Sequence, residues 1–169
     1  MFQIGDLVVY GTEGVCRVER TEKLRVGGKL CRYYVLSPVY REGATVYVPA
    51  ENEELTARMK RILSPEELEA LLDGAREDEP LWLDDANERR TLYAKVLLSG
   101  DRRALMRLVR TLHLRRTKLV SQGKYLRSGD DQVLRDAERM LNGEFALILN
   151  IPQQEVPGYV RTRLEPLTL

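Results

Sequence analysis

Basic side chains are concentrated in the middle of the chain, in a block that helical spacing divides into two consecutive helices. Residues 82–127 contain twelve Lys and Arg against four Asp and Glu, whereas the whole 169-residue chain has a formal net charge of +1. Long cationic side chains on a common surface bind phosphates and release counterions from nucleic acid. The block therefore predicts a surface that faces a polyanion, and a solvated helix face is the alternative.

Some of these cations are spaced so that one ligand can reach several of them. Arg103, Arg107 and Arg110 recur at positions i, i+4 and i+7, which places them on one face of a helix. Phosphate contacts need this kind of shared surface. The predicted DNA-binding basic residues are Arg89, Arg90, Lys95, Arg103, Arg107 and Arg110.

The single tryptophan, Trp82, stands just before the basic helices, between Leu81 and Leu83. A large ring at this place can seal the preceding connection onto the helices. It can also act as an exposed wedge, because apolar side chains press against base steps in the minor groove of bent DNA. Both interpretations stay open, and Trp82 is added to the DNA-binding candidates.

Residues able to carry out catalysis or hold a cofactor are scarce. His113 is the only histidine and lies in the middle of a helical pattern, with no nucleophile motif around it. The glycine-containing segments GTEG (11–14) and GGK (27–29) match neither nucleotide-binding fingerprint. Cys16 and Cys31 are too few for a typical zinc site. We therefore expect no enzymatic activity, no catalytic residue, no cofactor and no metal.

The composition, 43% hydrophobic and 31% charged, is typical of soluble globular proteins. No run approaches the roughly 18 to 20 apolar residues that span a bilayer, and the first residues lack the layout of a signal peptide. The two cysteines give no sign of a disulfide-stapled secreted domain. We therefore expect a cytoplasmic protein with no membrane partner.

The first fifty residues have the pattern of short antiparallel strands. Apolar and polar residues alternate, and glycine-containing turns interrupt them at short intervals. Predicted strands lie at residues 2–10, 15–26, 30–39 and 44–50. Four or five such strands with tight turns favour a small β-barrel.

From Ser64 onwards, apolar residues follow the helical period instead. Ser64 is a predicted N-cap, Pro65 fits the first turn, and Gly74 is the predicted end of that helix. An acidic linker is expected at about 76–81. Further helices are predicted at 85–100, 101–124 and 128–150, with a last short helix or turn within 151–164. The predicted fold class is α+β with two domains, a β-barrel at residues 1–60 and an all-α bundle of about four helices at 61–169.

Two segments of the barrel region carry a family resemblance. FQIGDLVVYGTEGVCRVE (2–19), followed by TVYVPAEN (45–52), closely resembles the start of the CarD/CdnL-type bacterial transcription regulators. The same module occurs as the polymerase-interacting domain of the transcription-repair coupling factor. The helical half also resembles CarD, through SGD (99–101) and AERMLNGEFAL (137–147). The resemblance thus extends over nearly the whole chain.

The resemblance implies that the N-terminal half is a Tudor-like barrel that binds the β subunit of bacterial RNA polymerase, partly by adding strand to strand. On this analogy the polymerase-binding residues are Arg25, Thr45, Val46, Tyr47, Val48 and Pro49. Tyr47 stands where some relatives carry arginine.

The resemblance also implies that the helical half contacts promoter DNA, in the minor groove and on the phosphate backbone, near the upstream edge of the melted bubble. In the family, a tryptophan wedges there and slows the collapse of the open complex. Ala86 falls at that tryptophan's position in this chain, and Trp82 lies about one helical turn before it.

The expected function is a non-catalytic transcription regulator that tethers RNA polymerase to promoter DNA and modulates the stability of the open complex. The alternative is a protein–protein adaptor that docks on RNA polymerase without direct DNA binding. We expect a monomer associated with the nucleoid. A domain-swapped dimer stays open, because a short exposed strand can pair with another chain.

Overall fold

A computed structural model describes residues 1–164 and divides the chain into two compact units, Met1–Ile62 and a second unit that starts at Leu63. The first unit, which we call the barrel unit, contains five strands and one short helix. They are β1 (Leu7–Tyr10), β2 (Val15–Val26), β3 (Lys29–Pro38), β4 (Val46–Pro49), α1 (Glu53–Ala57) and β5 (Met59–Arg61). The prediction of an antiparallel β unit is confirmed. The short elements α1 and β5 were not predicted, because three to five residues show too little periodicity.

The five strands form one antiparallel sheet in the order β4-β3-β2-β1-β5. The two longest strands, β2 and β3, pair over almost their whole length and form a ribbon that extends past β4, because β4 pairs only with Tyr33–Leu36. The register of β2 shifts between Val18 and Arg20. Such a bulge increases local twist, which lets a short sheet curl around its own core.

The core of the barrel unit is small and apolar. Its buried side chains include Val8, Cys16, Val18, Leu36 and Val48. Side chains alternate along a strand, so the exposed Arg17 lies between the buried Cys16 and Val18 on β2, whereas Val9 and Val35 beside the core positions of β1 and β3 are buried as well. Alternation of polar and apolar residues is the pattern from which β2 was predicted.

The second unit, which we call the helical unit, consists of helices and their connections. These helices are α2 (Pro65–Ala75), α3 (Ala86–Ser99), α4 (Arg102–Ser121), α5 (Ser128–Leu149) and α6 (Val156–Leu164). The predicted helical bundle is confirmed. None of the helices within residues 1–164 combines the length and the low charge needed to cross a bilayer.

The ends of α2 show which local signals were interpreted correctly. The Ser64 hydroxyl accepts the Glu67 N–H at 3.1 Å and the Glu67 carboxylate accepts the Ser64 N–H at 2.7 Å, so the predicted N-cap is a full capping box. Gly74, the predicted stop, instead lies inside the helix, which ends at Ala75. Its carbonyl oxygen accepts a hydrogen bond from Arg103 at 2.7 Å, and a Cβ at this position would lie only 3.3 Å from Nη1 of the same arginine, so a close tertiary contact explains this glycine better than a helix end does.

The core of the helical unit is larger than that of the barrel unit and is built from all five helices. Leu72, Tyr93, Leu108, Leu134 and Phe145 are among its buried side chains. Tyr93 is buried, yet its hydroxyl donates to the carbonyl oxygen of Leu81 at 2.8 Å. The desolvation of the phenol raises the pKa of Tyr93 to about 12, so this hydrogen bond keeps its donor at all physiological pH values.

A buried carboxylate ties the start of the helical unit to its centre. Glu144, in the NGEF segment of α5, is fully buried and accepts the backbone N–H of Leu63 at 2.9 Å. Its two oxygens also receive the guanidinium of Arg102 at 2.7 and 2.8 Å. Because a buried charge without partners is costly, this set fixes where the chain enters the helical unit.

Candidate functional site

The outer strand β4 is the first candidate surface, and it lies in the barrel unit. In the part of the chain that is described, β4 pairs with one strand only, β3. An outer strand offers backbone N–H and C=O groups to another chain. Thr45 is exposed and leads into β4, and Pro49 ends it.

The side chains of β4 divide between the two faces of the sheet. Val48 is fully buried and belongs to the core, and Val46 packs against that core. For these two predicted polymerase-binding residues the side chain is therefore structural, and only the backbone is available to a partner. Tyr47 is 45% exposed and lies edge-on to Tyr33, with ring centroids 6.3 Å apart.

Arg25 lies at the far end of the β2–β3 ribbon, where it is opposite Leu30. It is exposed, but the Arg25–Leu30 pair lies three residues beyond the last pair with β4, roughly 10 Å at the usual rise per residue. The structure therefore does not bring Arg25 next to β4. The apolar residues Val26 and Leu30 beside it are more than half exposed and were missed, although apolar residues flanking a GGK turn were visible in the sequence.

Trp82, in the helical unit, is held by two arginines. The guanidinium carbons of Arg89 and Arg115 lie 4.2 and 4.1 Å from the centroid of its ring, and its indole N–H donates to Asp84 at 3.1 Å. The side chain is half-buried and packs against the helical core. Cation–π stacking on both arginines favours the interpretation in which Trp82 seals the connection onto the helices.

Arg89 is a correction to the predicted DNA-binding set. Its side chain is only 5% exposed and makes two hydrogen bonds to Asp130, at 2.9 and 3.1 Å. A further bond, of 2.9 Å, runs from its Nη1 to the carbonyl oxygen of Leu83. A buried guanidinium whose charge is already neutralised cannot reach a phosphate without breaking these contacts, so Arg89 is a structural residue.

The row Arg103, Arg107 and Arg110 does share one face of α4, as the spacing predicted, but that face holds the connection between α2 and α3. Arg103 makes a two-pronged contact with Asp78, at 2.7 and 2.8 Å. Arg107 donates to the carbonyl oxygen of Glu79 at 3.0 Å. Arg110 donates to the carbonyl oxygen of Arg76 at 3.2 Å. The acidic stretch is therefore docked on the basic row, which is less available to a ligand than expected.

The basic side chains around Asp78 lower the pKa of its carboxyl group. Hydrogen bonding to Arg103, and the charges of Arg107 and Arg110, lower the pKa of Asp78 below its ordinary value of 3.8. Asp78 therefore stays ionised well into the acid range. About half of the Arg103 side chain is still in contact with solvent, so this arginine keeps some capacity to meet a polyanion.

Arg90 and Lys95 differ from the other predicted residues. Both are exposed on α3, and neither forms an ion pair or side-chain hydrogen bond with any residue among 1–164. Unpaired long cations in water are the groups that gain most from binding phosphate, since no internal partner has to be released. They are the best-placed members of the predicted DNA-binding set.

The groups considered for catalysis form no catalytic arrangement in the described residues. His113 contacts the Glu138 carboxylate at 2.6 Å, on the surface formed by α4 and α5. Over residues 1–164, no group of three or more His, Cys, Asp or Glu side chains is positioned to hold a metal ion. Burial raises the pKa of the Cys16 thiol to about 12, so this thiol is a core residue without nucleophilic character.

Comparison with known families assigns the barrel unit. Residues 2–63 match the family model described as CarD-like/TRCF RID domain, and these bounds agree closely with the compact unit Met1–Ile62. The RID domain of this family is a non-catalytic protein-interaction domain that binds RNA polymerase. Residues 2–63 therefore belong to the CarD-like/TRCF RID domain family, whose domain interacts with RNA polymerase.

Proposed function

We propose that this protein tethers RNA polymerase to promoter DNA and changes the lifetime of the open complex. The barrel unit binds the polymerase β subunit, and the helical unit contacts DNA near the upstream edge of the bubble. Such a factor needs no catalysis, because a ligand that binds one state better than another shifts the population toward it. The observation that carries the proposal is the RID domain at residues 2–63, joined in one chain to a helical unit with unpaired exposed cations.

The polymerase contact is proposed to involve the free edge of β4 together with the ribbon end at Arg25. Strand addition supplies backbone hydrogen bonds, and alternate side chains supply specificity. Thr45 and Tyr47 are the side chains of this edge that remain exposed, while Val46, Val48 and Pro49 contribute mainly through the backbone. The tip residues Val26 and Leu30 add exposed apolar area suited to a protein partner.

The DNA contact is proposed to rest on Arg90 and Lys95, with Arg103 in a lesser role. Each phosphate that a cation neutralises releases about 0.9 counterions from a duplex, so the affinity for DNA should fall steeply with salt. The contact is expected to be weak for the protein alone. Polymerase bound at the promoter raises the effective concentration of the helical unit at its DNA site.

The adaptor alternative has one observation in its favour. A groove of about 450 Å³ lies between α4, α5 and α6, and its lining includes Val109, Leu114 and Phe145. Apolar grooves between helices are sites where an amphipathic segment can dock. If the helical unit uses this groove to bind a second protein, charge reversal at Arg90 and Lys95 should leave the effect of the protein on transcription unchanged.

The test measures the lifetime of a promoter open complex on cognate bacterial RNA polymerase after addition of heparin. We compare the wild type with an Arg90→Glu/Lys95→Glu variant. The control, Arg135→Glu/Arg139→Glu, has the same change in net charge at exposed positions of α5 that do not line the groove.

The proposal expects the wild type to change the lifetime at least several-fold and the Arg90/Lys95 variant to lose most of this effect while polymerase binding is kept. An unchanged lifetime with wild-type protein, at concentrations where polymerase is saturated, contradicts the DNA half of the proposal and favours the adaptor.

A further inference from the structure

The connection between α4 and α5, residues 122–127, has a well-defined backbone. Gly123 takes a φ of +70°, a conformation that favours glycine, and Lys124 donates its backbone N–H to Leu119 at 2.8 Å. Leu126 packs against the core of the helical unit. The backbone is therefore anchored on both sides of the residue between Lys124 and Leu126.

That residue, Tyr125, projects into solvent. Its side chain is 85% exposed, more than any other aromatic side chain among residues 1–164. Within that range it has no ring contact, hydrogen bond or ion pair. An aromatic ring in water on an anchored backbone is accessible for stacking, and the backbone that carries it is in place before a partner arrives.

The surroundings of Tyr125 are positively charged. Positions 115–127 contain five Lys and Arg and no Asp or Glu. Two of the five are engaged, since Arg115 stacks on Trp82 and Arg116 bonds to Asp131 at 2.7 Å. The other three are exposed and have no side-chain partner among the residues described: Lys118, Lys124 and Arg127.

This group lies at the same end of the helical unit as Arg90. The ion pair between Arg89 and Asp130 joins the first turn of α3 to the first turn of α5. Arg90 directly follows the first turn of α3, and Arg127 directly precedes the first turn of α5. The exposed ring and its cations therefore lie at the same end of the helical unit as Arg90, one of the residues to which the proposed function assigns DNA.

We propose that Lys118, Lys124, Tyr125 and Arg127, here called the Tyr125 surface, bind promoter DNA at the edge of the bubble. The Tyr125 ring stacks on an unpaired base, and the three cations bind phosphates of the same strand. Every base has a face for stacking, and cations that follow the backbone complete a site for single-stranded DNA. This inference rests on the proposed function and assigns its aromatic contact to Tyr125 in place of Trp82.

Nucleic acid suits this surface better than a protein partner does. Stable protein interfaces have an apolar centre and bury about 800 Å² on each side. The Tyr125 surface has one isolated ring, with long cations before and after it in the chain. Flexible single-stranded DNA can place one base on one ring while its phosphates reach the cations.

The experiment uses the full chain with cognate RNA polymerase and a promoter fragment, and it measures the lifetime of the open complex and the affinity for polymerase. The variants are Tyr125→Ala, Tyr125→Phe and Lys124→Glu. Tyr40→Ala, at an exposed tyrosine of the barrel unit, is the matched control for loss of a ring. Arg90→Glu/Lys95→Glu is measured in parallel, to test the proposed function independently.

The inference expects Tyr125→Ala to reduce the effect on lifetime about fivefold or more, because base–aromatic stacking is commonly of this size or larger. Tyr125→Phe should retain the effect, since it keeps the ring. The affinity of the protein for a bubbled DNA fragment is measured as well, at several salt concentrations. Lys124→Glu should lower the slope of the logarithm of this affinity against the logarithm of the salt concentration by about 0.7, the value for one contact to single-stranded DNA. All variants should bind polymerase as the wild type does.

Three results overturn the inference. If Tyr125→Ala behaves as the wild type while Arg90→Glu/Lys95→Glu loses the effect, the proposed function stands and the Tyr125 surface has no part in it. If a photoreactive Tyr125→p-benzoyl-phenylalanine variant crosslinks to a polymerase subunit and not to DNA, the surface binds protein. If both Tyr125→Ala and Arg90→Glu/Lys95→Glu affect the lifetime as the wild type does, the proposed function fails and the inference fails with it.

Discussion

The guanidinium carbon of Arg89 lies 4.2 Å from the centroid of the Trp82 ring, so two residues that the sequence assigned to DNA are in contact with each other. Arg89 is at the same time bonded to Asp130. The contact therefore joins the α2–α3 connection, α3 and α5. For Arg89 to contact DNA, this assembly would have to open.

We predict that Trp82→Ala destabilises the helical unit, because it removes a ring that packs against the core and two stacked guanidiniums. For a half-buried tryptophan the loss of unfolding free energy should be about 1–3 kcal/mol, below the cost at a fully buried site. Urea denaturation followed by circular dichroism at 222 nm measures it. An unchanged midpoint, together with lost DNA contact, would instead support the wedge interpretation.

Arg89→Met should lower the unfolding free energy of the helical unit more than Trp82→Ala does. It leaves the Asp130 carboxylate, about one-eighth exposed, without its charged partner, and breaking a buried ion pair costs roughly 3–5 kcal/mol. Trp82 fluorescence during urea denaturation reports on the helical unit, because Trp82 is the only tryptophan. Arg90→Met is the matched control and should change the unfolding free energy by less than about 0.5 kcal/mol.

The helical unit should lose stability in acid. Hydrogen bonding to arginine lowers the pKa of Asp78, Asp131 and Glu69 below their ordinary values of 3.8, 3.8 and 4.5. A carboxylate whose pKa is lower in the folded state stabilises the fold above its unfolded-state pKa. This stabilisation is lost as the pH falls through the folded-state value.

The urea midpoint from Trp82 fluorescence should therefore be constant between pH 5 and 7 and should fall progressively below about pH 4. The Asp78→Asn variant should start from a lower midpoint and show a shallower decline. Because these carboxylates are near the surface, added salt should weaken the effect. A midpoint that rises below pH 4 would contradict the assigned ion pairs.

The two cysteines should react at different rates with a thiol reagent. Cys16 is fully buried and its pKa is raised to about 12, so little thiolate forms at pH 8. Cys31 is half-buried, on β3. Ellman's reagent should modify one thiol quickly in the native protein and the second only on unfolding. Cys31→Ser should abolish the fast reaction; two fast thiols in the wild type would contradict the packing of Cys16.

Local patterns in the sequence predicted most elements of both units, but not the short α1 and β5. Alternation predicted β2, where buried and exposed side chains alternate over residues 16–19, and a run of β-forming residues predicted β3. Ser64 predicted the start of α2, because a capping box involves only residues three positions apart. The resemblance of residues 2–19 and 45–52 to CarD-type regulators identified the RID domain before its structure was known.

Tertiary structure decided what the arginines do. Positions i, i+4 and i+7 correctly place Arg103, Arg107 and Arg110 on one face, but periodicity does not say what covers that face. The acidic residues that pair with the basic block lie 15 to 42 positions away in the chain; Asp78 is 25 positions from Arg103, and Asp130 is 41 from Arg89. Charge counted along the sequence therefore overestimated the free positive surface.

The sequence by itself determined the two-part α+β architecture and the family of its first part, because local periodicity, turn chemistry and motif identity specify both. Only the tertiary structure separated Arg89, which is buried and paired, from Arg90, which is exposed and has no side-chain partner among the described residues. Adjacent residues of the same type cannot be distinguished by composition or spacing. What distinguishes them is burial and the nearest opposite charge, which depend on how distant segments meet.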